Sequence, residues 1–137
     1  MLGDLILEHT GRVTSNKVLD SKKSKMENSI IANGKTKGID ISINITYWNI
    51  QCAGGLSYGE GKGEITPQAG DTPYIVKVTE YGVGKSHGQK TMWRGSAFYQ
   101  TSLSNNKLSF LHGMVGVFET EVNEESGNVT EKVWEWK

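Results

Sequence analysis

Little in this chain supports covalent cross-linking, metal capture or membrane insertion. A single cysteine, Cys52, excludes an intrachain disulfide framework and any zinc site built on several cysteines. Only two prolines occur, and 15 basic residues balance 15 acidic ones to a formal net charge of zero. That balance argues against a general nucleic-acid binder, which needs uncompensated cations to meet phosphates. Apolar runs stop at three or four residues, far short of a membrane helix. The first residues have no basic stretch, and Asp4 and Glu8 interrupt their apolar character, so a secretory leader is not expected. The reading is cytoplasmic, with no membrane span and no nucleic-acid partner. Its 137 residues suit one domain over 1–137.

What the chain has in quantity is glycine, 17 residues, and strict alternation. Ile39-Asp40-Ile41-Ser42-Ile43-Asn44-Ile45-Thr46-Tyr47 puts four isoleucines and Tyr47 on one face of a strand. Leu5–Thr10 reads as a strand with Leu5, Leu7 and His9 on one face. Met26–Ala32, Leu56–Thr66, Tyr74–Tyr81, Thr91–Ser102, Leu108–Val122 and Val129–Trp136 complete the set. Asn33-Gly34 is a turn signal, Gly113 and Gly116 mark a bend in a long strand, and Asp20–Met26 is the one stretch that admits a helical turn. The expectation is an all-β, single eight-stranded antiparallel meander closing into a barrel, with little or no helix.

Several stretches are distinctive: Gly59-Glu60-Gly61-Lys62-Gly63, Trp93-Arg94-Gly95-Ser96, Val115-Gly116-Val117-Phe118-Glu119, Trp134-Glu135-Trp136-Lys137 and Leu7–Thr14. Together they resemble an uncharacterised family of small prokaryotic β-barrel proteins over nearly the whole chain; that resemblance implies no activity. Gly116-Val117-Phe118-Glu119 is also similar to the Gly-Ile-Phe-Glu turn of allene oxide cyclase and dirigent barrels, which implies a barrel with an interior ligand cavity. The architecture expected is thus calycin-like or allene-oxide-cyclase-like. Lipocalins are less similar, since their early Gly-x-Trp motif is missing.

An eight-stranded barrel holds side chains or one small ligand. Ile41, Ile43, Tyr47, Trp93, Arg94, Tyr99, Phe110, His112 and Phe118 are the expected ligand-binding residues, for a small apolar or amphipathic molecule. Arg94 facing inward needs a carboxylate, which Glu60, Glu119 or Glu8 can supply; facing outward it is a solvated cation, and Trp93, Ala97 and Tyr99 then point in. Glu60, Arg94, His112 and Glu119 are the weak catalytic candidates for a cofactor-independent cyclase or isomerase. The three histidines lack ligand spacing, so no metal is expected. Gly82-Val83-Gly84-Lys85-Ser86 fails the phosphate-loop spacing and has no following helix, so nucleotide cofactors are not expected either. With Gly88 and His87 it reads instead as the most mobile loop. Six lysines in 17–37 and six glutamates in 119–135 suggest head-to-tail pairing in a homo-oligomer, a structural module being the third reading.

Overall fold

The computed structural model describes residues 2–68, 75–103 and 106–137. Eight strands run in chain order: β1 Leu2–Asp20, β2 Lys25–Thr36, β3 Ile39–Gln51, β4 Leu56–Pro67, β5 Val76–His87, β6 Lys90–Gln100, β7 Val115–Asn123 and β8 Asn128–Trp136. Each pairs antiparallel with its sequence neighbours, and β1 pairs with β8 to close the barrel. Closure pairs every strand on both sides, which removes the long open edge of an unclosed sheet. Helix among the described residues is limited to two 3₁₀ turns, Ala53–Gly55 and Ser109–Leu111.

Alternation sets the two faces, as the pleat requires. In β3, Ile41, Ile43 and Ile45 are buried inside while Asn44 and Thr46 are exposed. In β6, Ala97 and Tyr99 are buried and Arg94, Phe98 and Gln100 are exposed, which resolves the ambiguity at Arg94. The lower half of the barrel is a packed core. Ile41, Ile65 and Val76 are fully buried there beside Leu108 and Leu111.

Leu108 and Leu111 belong to a plug, and here the expected Leu108–Val122 strand is corrected. The chain makes the Ser109–Leu111 turn, reverses at Gly113 with φ 75°, and only then enters β7. Asn106 holds the turn: its Oδ1 accepts from the Leu108 amide at 2.9 Å, and its Nδ2 donates to Thr101 Oγ1 at 2.7 Å. A continuous strand leaves the barrel end open, whereas the turn buries two leucines in it. Those side chains contribute roughly 2 kcal/mol each through lost apolar exposure.

Other local expectations also shift. Asn33-Gly34 lies within β2, and the chain reverses at Lys37 and Gly38, both at positive φ. Gly82 and Gly84 are inside β5 rather than in a loop. Within Asp20–Met26 only residues 21–24 turn, closed by Asp20 Oδ1, which accepts from the Lys22 amide at 3.0 Å. Tyr74 and Asn105, expected at a strand start and a turn, lie outside the described residues.

Candidate functional site

Opposite the plug the barrel is not filled. The reason is a run of inward-facing glycines on β4 and β5. Gly59, Gly61, Gly82 and Gly84 present no side chain to the interior, and aromatic rings from other strands lean over them. A Cβ at Gly84 falls 2.8 Å from the Trp93 indole, and one at Gly82 falls 3.0 Å from the Phe118 ring. Tyr47 meets Trp93 edge-to-face, with ring centroids 6.1 Å apart. The rings form an apolar collar around a cavity of about 60 Å³, enough for ordered water or the head of a small ligand. Above it opens a vestibule of about 400 Å³, which shares Tyr47, Trp93 and Val122 with the cavity. Its rim is polar: Asn28 donates to Asn49 at 2.9 Å, and Thr91 donates to Glu124 at 2.8 Å.

The cavity's inner wall is ionisable. His9 on β1 and Glu131 on β8 stand directly opposite one another in the closing pair, and His9 Nε2 contacts Glu131 Oε2. Both are 4% exposed. Gly34 across from His9 makes this possible, because a Cβ there falls 2.6 Å from the His9 Cβ. Glu80 on β5 is half-buried and lines the same cavity. His9 Nδ1 and Glu131 Oε1 are buried without a hydrogen-bond partner. A buried orphan of this kind costs on the order of 1–3 kcal/mol and marks a place where another group belongs.

Burial governs the proton affinities. It pushes His9 down to about 4, against the opposing charge of Glu80. It pushes Glu131 up to about 7, opposed by the neighbouring Glu80 carboxyl and Thr120 hydroxyl. Glu80 is raised well above the usual carboxylate range, first by burial and then by the Glu131 charge; His9 opposes the rise and hydrogen bonding to Glu131 adds to it. Tyr99, below the cluster, is raised by burial and by both carboxylates. Both carboxyls therefore hold their protons to higher pH than free carboxyls do.

Of the residues expected from sequence to bind a ligand, Tyr47, Trp93 and Phe118 line the cavity. Ile41, Ile43 and Tyr99 are core residues lower in the barrel. Phe110 is half-buried in the plug with Lys37 Nζ 4.6 Å from its ring centroid. Arg94 and His112 are on the outside. Arg94 Nε sits 3.9 Å from Glu119 Oε2, the two side chains being 77% and 44% exposed; His112 Nδ1 accepts from the Thr101 amide at 3.0 Å. Glu60 accepts from the Tyr58 hydroxyl at 3.0 Å on the outer surface. The structure does not bring Glu60, Arg94, His112 and Glu119 together in the interior. Exposed ion pairs contribute little, so Arg94→Ala is expected to change unfolding free energy by less than about 0.5 kcal/mol in a urea titration. A loss above about 2 kcal/mol would contradict this placement.

His9, Glu80 and Glu131 were the residues that sequence reasoning passed over as a site. The signal existed: Val76-x-Val78-x-Glu80 and Val129-x-Glu131-x-Val133 each put a carboxylate on an apolar face.

No family model and no curated protein matches the sequence. Solved structures do share the fold. A conserved protein of unknown function, RPA1785 from Rhodopseudomonas palustris, superposes with a TM-score of 0.68 at 15% identity, covering 98% of this chain and 97% of that one. A protein with unknown function from Clostridium acetobutylicum ATCC 824 superposes with a TM-score of 0.65 at 10% identity, covering 98% of both chains. This chain is thus similar in fold, end to end, to bacterial proteins whose function is unknown.

Proposed function

We propose that the barrel takes up one small amphipathic molecule through the vestibule. Its polar head occupies the cavity against His9, Glu80 and Glu131, and its apolar part lies within the collar of Tyr47, Trp93 and Phe118. The observation that carries this reading is the pair of buried, unpartnered atoms, His9 Nδ1 and Glu131 Oε1, at the wall of a cavity. A barrel that served only as a filled structural module has no use for an unfilled upper half lined by glycine. Ligand sites commonly combine an apolar lining with a few convergent polar groups.

The test blocks the neck. Val122 lines both cavity and vestibule, so Val122→Phe places a ring where the two meet. Native mass spectrometry of wild type isolated from its source is expected to show a non-covalent adduct that disappears on denaturation, and V122F is expected to lack it while keeping the wild-type circular dichroism. A wild-type spectrum with no adduct, or an adduct retained by folded V122F, overturns the reading.

A second reading, cofactor-independent proton transfer in the same cavity, draws on the His9–Glu131 pair. A carboxyl raised to about 7 beside an imidazole can take and return a proton near neutral pH. The resemblance to allene oxide cyclase barrels fits this reading. It requires the same bound molecule, so the neck-blocking experiment precedes any assay.

A further inference from the structure

We propose that the molecule is an organic cation, a primary amine on a short apolar body, with its ammonium seated against Glu80 and Glu131. This rests on the ligand-binding reading and adds the sign of the ligand's charge.

The first argument is the charge census. No lysine or arginine lines the cavity or the vestibule among the described residues. The ionisable groups facing inward are Glu80, Glu131 and His9, with Glu124 at the rim and the phenols of Tyr47 and Tyr99 on the walls. Glu60 also borders the cavity, but its carboxylate accepts from Tyr58 on the outer surface. A carboxylate ligand therefore meets like charge where water does not screen it, which is unfavourable.

The second argument is the hydrogen-bond census, which is short of donors. Glu131 Oε1 has none, and once Glu131 is ionised and takes the His9 Nε2–H, the orphan His9 Nδ1 is an acceptor. An ionised Glu80 adds a further acceptor. An ammonium carries three N–H donors and no acceptor; an alcohol supplies one donor. The aromatic collar attracts cations through its ring faces, and Tyr47 and Trp93 stand at the cavity entrance. A metal ion is a poorer fit, because neither His9, Glu80 and Glu131 nor any other three His, Cys, Asp or Glu among the described residues are placed to converge on one.

The exchange balances. The ammonium enters with its proton, protons held by the Glu80 and Glu131 carboxyls leave to solvent, and the ionised carboxylates accept charge-assisted hydrogen bonds from it. Binding therefore releases protons.

The probes are 2-phenylethylamine, 2-phenylethanol and phenylacetate, which share a body and differ in head charge. Dissociation constants at pH 7 come from isothermal titration and tryptophan fluorescence, with titrations in two buffers of different ionisation enthalpy to count protons. The amine is expected to bind at least ten-fold more tightly than the alcohol, with phenylacetate weakest and amine binding accompanied by net proton release. Glu80→Gln and Glu131→Gln are each expected to lower the amine-to-alcohol ratio about ten-fold; Arg94→Ala, on the outer surface, keeps it. Equal affinity for amine and alcohol, or a ratio unmoved by both glutamine variants while folded by circular dichroism, overturns the charge assignment and leaves uptake of a small molecule standing. Failure of all three probes to bind overturns both.

Discussion

The unfolding free energy of the wild-type chain is expected to fall as pH rises from 5 to 6.5, by up to about 1.4 kcal/mol per pH unit, and Glu80→Gln is expected to abolish that slope. Glu80 has a folded proton affinity well above the usual carboxylate value. The folded state then keeps a proton that the unfolded chain has released, so raising pH favours unfolding. His9 and Glu131 do not obscure this. His9 is displaced downward from 6.5 to about 4, and Glu131 upward from 4.5 to about 7. The two displacements are equal and opposite, so the pair holds one proton in both states over roughly pH 4.5 to 6.5 and adds almost no slope there. Of the other interior groups, Tyr47 is raised to about 12 and Tyr99 is raised too, so both act only in strong base. Urea titrations at pH 5 and 6.5 are expected to differ by up to about 2 kcal/mol for wild type and by less than about 0.5 for E80Q. Parallel profiles for the two proteins would show that Glu80 ionises in the folded barrel as it does in the unfolded chain.

Gly95→Ala is expected to cost about 3 kcal/mol, near the top of the range for overpacking, and to lower Tm by roughly 10 °C. Gly95 faces inward on β6, opposite Gly82 of β5. A Cβ there falls 1.8 Å from the Tyr81 carbonyl oxygen and 2.7 Å from the Gly82 Cα. These are backbone atoms, so no rotamer change relieves the overlap; the β5–β6 pair has to separate. Such close approach is a common use of glycine at a barrel bend. Gly88→Ala is a useful contrast. Gly88 has open space around its Cβ position, and its cost comes only from the positive φ of 62°. That cost is about 1 kcal/mol. Thermal melts of the two variants distinguish crowding from backbone preference, and a Gly95→Ala melt within a few degrees of wild type would refute the close approach.

The barrel was legible because its evidence is local. Each alternating segment, above all Ile39–Tyr47, declares its buried face without reference to any other, and short connections between consecutive strands limit the order in which they can pair. The plug at Ser109–Leu111 was not legible. Leu108, Phe110, His112 and Met114 carry the alternation of a strand, and only the need to cover the barrel's end makes that segment turn. The site was harder still. Carboxylates two or four apart along one strand, such as Glu60 with Glu64 and Glu119 with Glu121, can be paired from sequence because they share a face. The pair that forms lies across strands: His9 meets Glu131 at a separation of 122 residues. Register between the first and last strands decides that meeting, and neither strand's own pattern contains it. Tyr47, Trp93 and Phe118 were found because aromatic residues on an inward face advertise a lining whatever lies opposite.

That separation also bears on how the chain reaches its native state. Seven of the eight strand pairings join strands consecutive in the chain. The eighth, β1 with β8, brings together segments from the two ends of the sequence and carries the largest loop-closure entropy. His9 and Glu131 sit on that seam. An open sheet with every hairpin formed has an ordinary solvated imidazole and an ordinary solvated carboxylate; the buried, proton-sharing pair comes into existence only when the ends join. Proton affinity at this site is therefore a property of ring closure, gained and lost with the single most non-local step in the assembly of the barrel.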